Sequence, residues 1–238
     1  MKRDYRLLFG PLAGIVLAVG IAGLALLIPG YSHVHQMVSE IAEVGSPARL
    51  PFCVMLFCVA ACIVVFASAV RDVSVTARNS PFAAYLIGFM ALPAAGIGVF
   101  AYPHPLHKVF GLSELVGYQA PVVLALTWRR GPRTKTLVLF SWIFFALVWG
   151  AIALNLTAFV QPVWAYVKPI HGLAQRSLFA AWFGWCALTG ILLFSARGAL
   201  GPRRKHHHSI PEAMTSKSSS QWIKQRPLRG KYEGRYEG

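Results

Sequence analysis

Long apolar stretches, five or six of them nearly free of charge, constrain this chain more than any other feature. A run of about 18 such residues crosses the roughly 30 Å hydrocarbon core of a bilayer as a helix, which satisfies every backbone N–H and C=O without water. The runs predict helices near 7–28, 51–70, 82–102, 107–128, 137–160 and 174–196. The expected fold is therefore all-α, a six-helix transmembrane bundle over 1–197. Of 238 residues 56% are hydrophobic and only 13% charged, the balance of a chain whose main solvent is not water. The first run follows Lys2, Arg3 and Arg6, as in a secretory signal. A signal's apolar core is only about 7 to 15 residues, so this longer run, leading into Pro29-Gly30, is expected to be a retained first helix.

The formal net charge of +15 suggests nucleic acid until its location is considered. Ten Lys or Arg fall from Arg197 onward, and most others sit in short connections. Nucleic acid is not an expected partner. Residues 198–238 are basic and Ser-rich with too few apolar side chains for a core, and read as a disordered tail. Membrane lipids are the expected partners, with the tail drawn to anionic lipid at about 1 kcal/mol per charge near the surface. His206 to His208 in that tail are weak evidence for metal. With the N-terminus inside, only Arg49, Lys108, Lys168 and Arg176 among the 23 Lys and Arg lie in outer segments. That asymmetry predicts cytoplasmic N- and C-termini in a plasma (inner) membrane.

Local features refine the bundle. Gly10 and Gly14 form a small-xxx-small pair for close helix approach. Pro93, followed by Gly96 and Gly98, predicts a kink in the third helix. Cys53, Cys58, Cys62 and Cys186 lie within apolar runs and read as helix-packing thiols.

Polar residues gather in the outer connections. In the first, Val34, Met37, Val38 and Ile41 recur at helical spacing, with His33, Gln36, Glu40 and Glu43 on another face. This predicts a short amphipathic helix on the outer surface, N-capped by Ser32. The second contributes His104 and His107, and the third, 168–176, contributes His171 and Arg176.

Glu114 is the least expected residue, because a carboxylate two turns into an apolar helix is costly unless paired or facing a cavity. His107, Gly111, Glu114 and Tyr118 share one face of the fourth helix. His107 and Glu114 are roughly 10 Å apart along the axis, with a gap at Gly111 between them. A small headgroup or water column fits there, and Arg176, His107 and Tyr118 are the candidate polar partners of Glu114, Arg176 as a counter-charge.

The run Tyr31-Ser32-His33-Val34, then Val38-Ser39-Glu40-Ile41 and Gly45-x-Pro47, resembles the domain of unknown function family 998, bacterial and archaeal membrane proteins. His107 and Gly172-Leu173-Ala174-Gln175-Arg176 resemble that family's later landmarks, and the likeness spans about 7–197. It implies a six-helix bundle and little biochemistry, and it points to Ser39, Glu40, His107 and Arg176.

No motif identifies a reaction. The leading expectation is a non-enzymatic protein holding a lipid headgroup or small ligand with Tyr31, Ser32, His35, Ser39, Glu40, His107, Glu114, Tyr118, His171 and Arg176. A membrane-embedded lipid hydrolase is the alternative, with Ser39 as nucleophile and His35 one turn before it as base, or with zinc on His35, His104 and His107. Neither version carries its usual local signature. A small transporter titrating Glu114 is the third reading, against which stand the absent repeat and the lack of a second buried charge. No cofactor is expected.

Overall fold

The computed structural model describes residues 4–128 and 134–200, side chains beyond Ser195 excepted. Its helices are α1 (Phe9–Ala25), α2 (Val38–Ile41), α3 (Arg49–Thr76), α4 (Phe82–Phe89), α5 (Ala91–Val99), α6 (Pro105–Gly117), α7 (Ala120–Thr127), α8 (Lys135–Leu156), α9 (Gln161–Val167) and α10 (His171–Leu200), with no strand among the described residues. Six helical stretches are long and apolar enough to cross a membrane: Tyr5–Ala25, Arg49–Thr76, Phe82–Val99, Pro105–Thr127, Lys135–Phe159 and Gln161–Ser195. The protein is thus an all-α, multi-pass membrane protein with six spans. The cytoplasmic tail and the Arg129, Arg130 and Arg133 loop predicted from sequence lie outside the described residues.

Consecutive spans pack against each other, and the first closes the ring against the last: α1 on α3, α3 on α4 and α5, α5 on α6, α4 on α7, α7 on α8, α8 on α10, and α10 on α1. Apart from 26–48 the connections are short, which favours packing between spans that are neighbours in the sequence. The close approaches are antiparallel. Along the α1–α10 seam Gly14 faces Phe183, Gly10 faces Cys186 and the Leu7 carbonyl faces Gly190. A Cβ on Gly10 would lie 2.8 Å from the Cys186 carbonyl oxygen, which explains the small residue there.

Two prolines break spans, each by removing an N–H. Pro93 cannot donate to Phe89, and α4 ends at Phe89, with α5 resuming at Ala91. Pro121 likewise frees the Gly117 carbonyl between α6 and α7, a break the sequence reading did not anticipate. The Trp182 indole donates to that carbonyl at 3.4 Å, and Trp185 donates to Ser141 Oγ at 2.9 Å. Both tryptophans are fully buried, so their N–H groups must find partners inside the protein.

One end of the bundle holds the described ion pairs. Arg6 lies 2.8 Å from Asp4 and 2.7 Å from Asp72, and Arg71 is 3.4 Å from Asp72. The opposite end carries the connections 26–48, 100–104 and 157–170.

There the predicted surface helix takes a different form. Residues 32–36 form a separate turn, with the Gln36 N–H donating to the Ser32 carbonyl at 2.9 Å and the His35 N–H donating to Ser32 Oγ at 3.4 Å. Helix α2 is a single turn with Val38 and Ile41 buried, so the short helix expected here covers only part of the segment. The reason is competition for carbonyls. Arg176 takes the Gln36 carbonyl at 2.9 Å and the Tyr31 hydroxyl takes that of Met37 at 2.8 Å, which a continuous helix would use itself. The third connection also differs, because 161–167 is helical and α10 begins at His171.

Candidate functional site: a polar chamber and a clasped loop

The stripe on α6 meets open space. Glycine 111 has nothing within 4 Å of an ideal Cβ, and His107, Gly111, Glu114 and Tyr118 line one cavity of about 250 Å³. Ser39 from α2, Asn155 from α8 and Gln175 from α10 complete its polar lining, while Phe52, Leu56, Val59 and other apolar side chains form the rest. Six polar side chains from four elements therefore converge inside a membrane-spanning ring.

His107, Glu114, Asn155 and Gln175 are each oriented by a bond that leaves another atom available. The His107 Nδ1 lies 2.8 Å from the Phe100 carbonyl, so Nδ1 carries the proton and Nε2 keeps its lone pair. The Tyr118 hydroxyl donates to Glu114 Oε2 at 2.7 Å, and no bond among the described residues occupies Oε1. Asn155 Nδ2 donates to the carbonyls of Ala151 and Ala174 at 2.8 and 3.0 Å, leaving Oδ1 as an acceptor. Gln175 Oε1 accepts the Val38 N–H at 2.6 Å, leaving its amide N–H groups as donors. The chamber offers donors and acceptors together, and its carboxyl group is its acid.

Arg176 is not the counter-charge of Glu114. Its guanidinium donates to the carbonyls of Gln36 and Gly172 at 2.9 and 2.8 Å, to the Tyr31 hydroxyl at 2.7 Å and to His33 Nδ1 at 3.1 Å. The cation also lies 5.7 Å from the Tyr31 ring centroid. The Leu173 N–H donates to the Val34 carbonyl at 3.1 Å, so the first turn of α10 clasps the 31–41 loop by its own unsatisfied N–H groups. Gly172 permits the contact, since a Cβ there would lie 2.8 Å from the His33 carbonyl and closer still to that of Gln36. Burial raises the Tyr31 hydroxyl pKa above its ordinary value, while the bond from Arg176 pulls in the opposite direction. The phenol stays protonated and donates to Met37.

The remaining residues singled out from sequence serve the loops. Ser32 closes the 32–36 turn, and Glu40 Oε1 accepts the Met37 N–H at 3.0 Å. His35 is exposed and bonds the Pro169 carbonyl through Nδ1. His104 Nδ1 accepts the Leu106 N–H at 3.2 Å and caps α6. His171 packs edge-on against Trp164, ring centroids 4.8 Å apart. No hydrogen bond joins His35 to Ser39, since the two are not on one helix. Among the described residues no three His, Cys, Asp or Glu side chains converge where they could share a metal ion, so His35, His104 and His107 do not form a zinc set.

Sequence reasoning missed Asn155 and Gln175. Asn155 is the lone amide in the apolar run 137–160, a signal of the same kind as Glu114. Gln175 lay at the start of the helix expected over 174–196 and was named only within the run 172–176, without a role in the site. Compared with known proteins, the chain matches no family model, no curated protein and no solved structure.

Proposed function

We propose that this protein is a non-enzymatic binder of a small polar ligand or lipid headgroup, held in the chamber by Glu114, His107, Asn155, Gln175 and Ser39. One observation supports this above others: unpaired acceptors and donors on six polar side chains face a single cavity within an apolar ring. Burying that many polar groups in a membrane is expensive, and a structural role would be expected to pair them with one another. A hydrolase would need Ser39 bonded to a base. Among the described residues neither His35 nor His107 is bonded to it.

The proposal places the protein in a plasma membrane with both termini cytoplasmic, the clasped loop outside and the Arg6 end inside, as the distribution of Lys and Arg favours. Membership of the domain of unknown function family 998 belongs to the same proposal, supported by the Tyr31-to-Pro47 run. Reporter fusions after Arg197 and within 40–48 should report opposite sides, and the same side for both refutes the orientation. The binding test is untargeted mass spectrometry of small molecules and lipids that co-purify with wild type and with Glu114→Gln. Loss of a polar species from the variant with the melting temperature kept supports the reading. Identical contents refute it.

A further inference from the structure

A second cavity, about 400 Å³, lies along the α1–α10 seam. Its volume is within the roughly 300–1,000 Å³ of ordinary ligand sites. Leu17, Ile21, Phe179 and Phe183 form its floor, and Ala18, Ala22 and Ala180 are exposed on its rim. The groove therefore opens toward lipid. Leu17, Phe179 and Phe183 also line the polar chamber and form the wall between the two cavities. From Gly14 to Ala22 the groove runs about 12 Å along α1 at 1.5 Å per residue. That is most of one leaflet of a roughly 30 Å hydrocarbon core.

Only two polar side chains line it, His33 and Arg176, and both sit at the clasped end. Arg176 forms no ion pair among the described residues; all its partners are neutral. Glu40, the acid of the same loop, turns its carboxylate onto the Met37 N–H. The Arg176 Nε–H is buried and has no partner. A guanidinium only donates, so His33 Nδ1 must accept from it, and the neutral ring carries its proton on Nε2. The mouth of an apolar, leaflet-deep groove thus presents a positive charge and an imidazole N–H with no anion bonded to them among the described residues.

We propose that the α1–α10 groove is a binding site for one membrane phospholipid with an acidic headgroup. One acyl chain lies between Ala18, Ala22 and Ala180, and the phosphate sits against Arg176 and His33. The apolar lining selects a chain, the depth selects a single leaflet, and the unmatched guanidinium selects an anion. This site does not rest on the chamber reading, and an empty chamber leaves it standing.

The test uses the full-length protein in detergent with added phosphatidylglycerol or phosphatidylcholine, read by native mass spectrometry. Wild type should retain one phosphatidylglycerol about tenfold better than phosphatidylcholine, because both carry the phosphate and only choline adds a quaternary ammonium, which the Arg176 cation repels. The basic tail also attracts acidic lipid, so the groove is blocked separately by Ala22→Phe and Ala180→Phe, which leave the tail intact. Each should abolish the tightly held lipid. Equal retention of the two lipids by wild type, or undiminished phosphatidylglycerol on either folded variant, overturns the proposal. Should both variants misfold, wild type is photolabelled with a phosphatidylglycerol carrying a diazirine near its chain end. Adducts at Gly14, Ala18 or Phe183 support the site, and adducts confined to other helices or to residues 198–238 overturn it.

Discussion

The two ends of the bundle handle charge in opposite ways. At the Arg6 end, cations meet carboxylates: Arg6 bridges Asp4 and Asp72, and Arg71 joins Asp72. At the clasped end, Arg176 meets two carbonyls, a hydroxyl and an imidazole, and no acid. The first arrangement cancels charge near a surface where it is worth little, since the Arg6 and Asp72 side chains are 43% and 39% exposed. The second spends a guanidinium's geometry on folding a loop and leaves its charge uncancelled beside an apolar groove. Among the described residues, cations are matched by acids at one end and by neutral acceptors at the other.

This contrast can be broken experimentally. The largest effect is expected from Gly172→Ala, because the new methyl would meet the His33 and Gln36 carbonyls, which are backbone and cannot swing away. We expect a loss of about 1–3 kcal/mol, read as a lowered melting temperature in detergent. No loss would mean that the 31–41 loop is not held against α10.

Arg176→Gln removes the guanidinium bonds of the clasp, leaving the Gln36 carbonyl only the Tyr31 hydroxyl at 3.3 Å, and should cost about 2 kcal/mol. Arg6→Gln at the other end should cost less than about 1 kcal/mol. Equal shifts in melting temperature for the two variants would erase the distinction between the ends.

Within the chamber, Tyr118→Phe removes the only bond to the Glu114 carboxyl group among the described residues and should cost about 1 kcal/mol. Glu114→Gln keeps that acceptor and the shape, so its melting temperature should stay closer to wild type than that of Tyr118→Phe. The reverse order would assign Glu114 a structural role.

The smallest effect concerns Tyr31. Its pKa is raised in the fold, so its contribution is complete below the ordinary tyrosine value near 10 and is lost as pH rises through the raised value. Melting temperature followed from pH 8 upward should fall in that alkaline range for wild type and fall less for Tyr31→Phe. Parallel curves would show that ionisation of this hydroxyl is not coupled to the clasp.

How much of this was legible beforehand differs between spans and site. The six spans were read from apolar runs, because in a bilayer the length and polarity of a segment nearly decide its conformation. The 107, 111, 114, 118 stripe was read from helical period alone, and its four members do line one cavity. The 31–41 segment was read only in part from the same kind of period, since its short helix is confined to 38–41. Its apolar spacing was real, but Arg176, 140 residues away from Gln36 in the chain, takes the carbonyl that a helix needs.

The sequence by itself thus determined a chain of six apolar helices, the kink at Pro93 and a polar face on the fourth span, all consequences of local period and of what lipid tolerates. Tertiary structure alone decided that Asn155 and Gln175 join that face, that Arg176 clasps Tyr31 and so leaves Tyr118, one helical turn away, as the partner of Glu114, and that a groove opens between the first and last helices. Those outcomes depend on which side chains meet across the closed ring, and contacts between distant segments leave no periodic trace in any one of them.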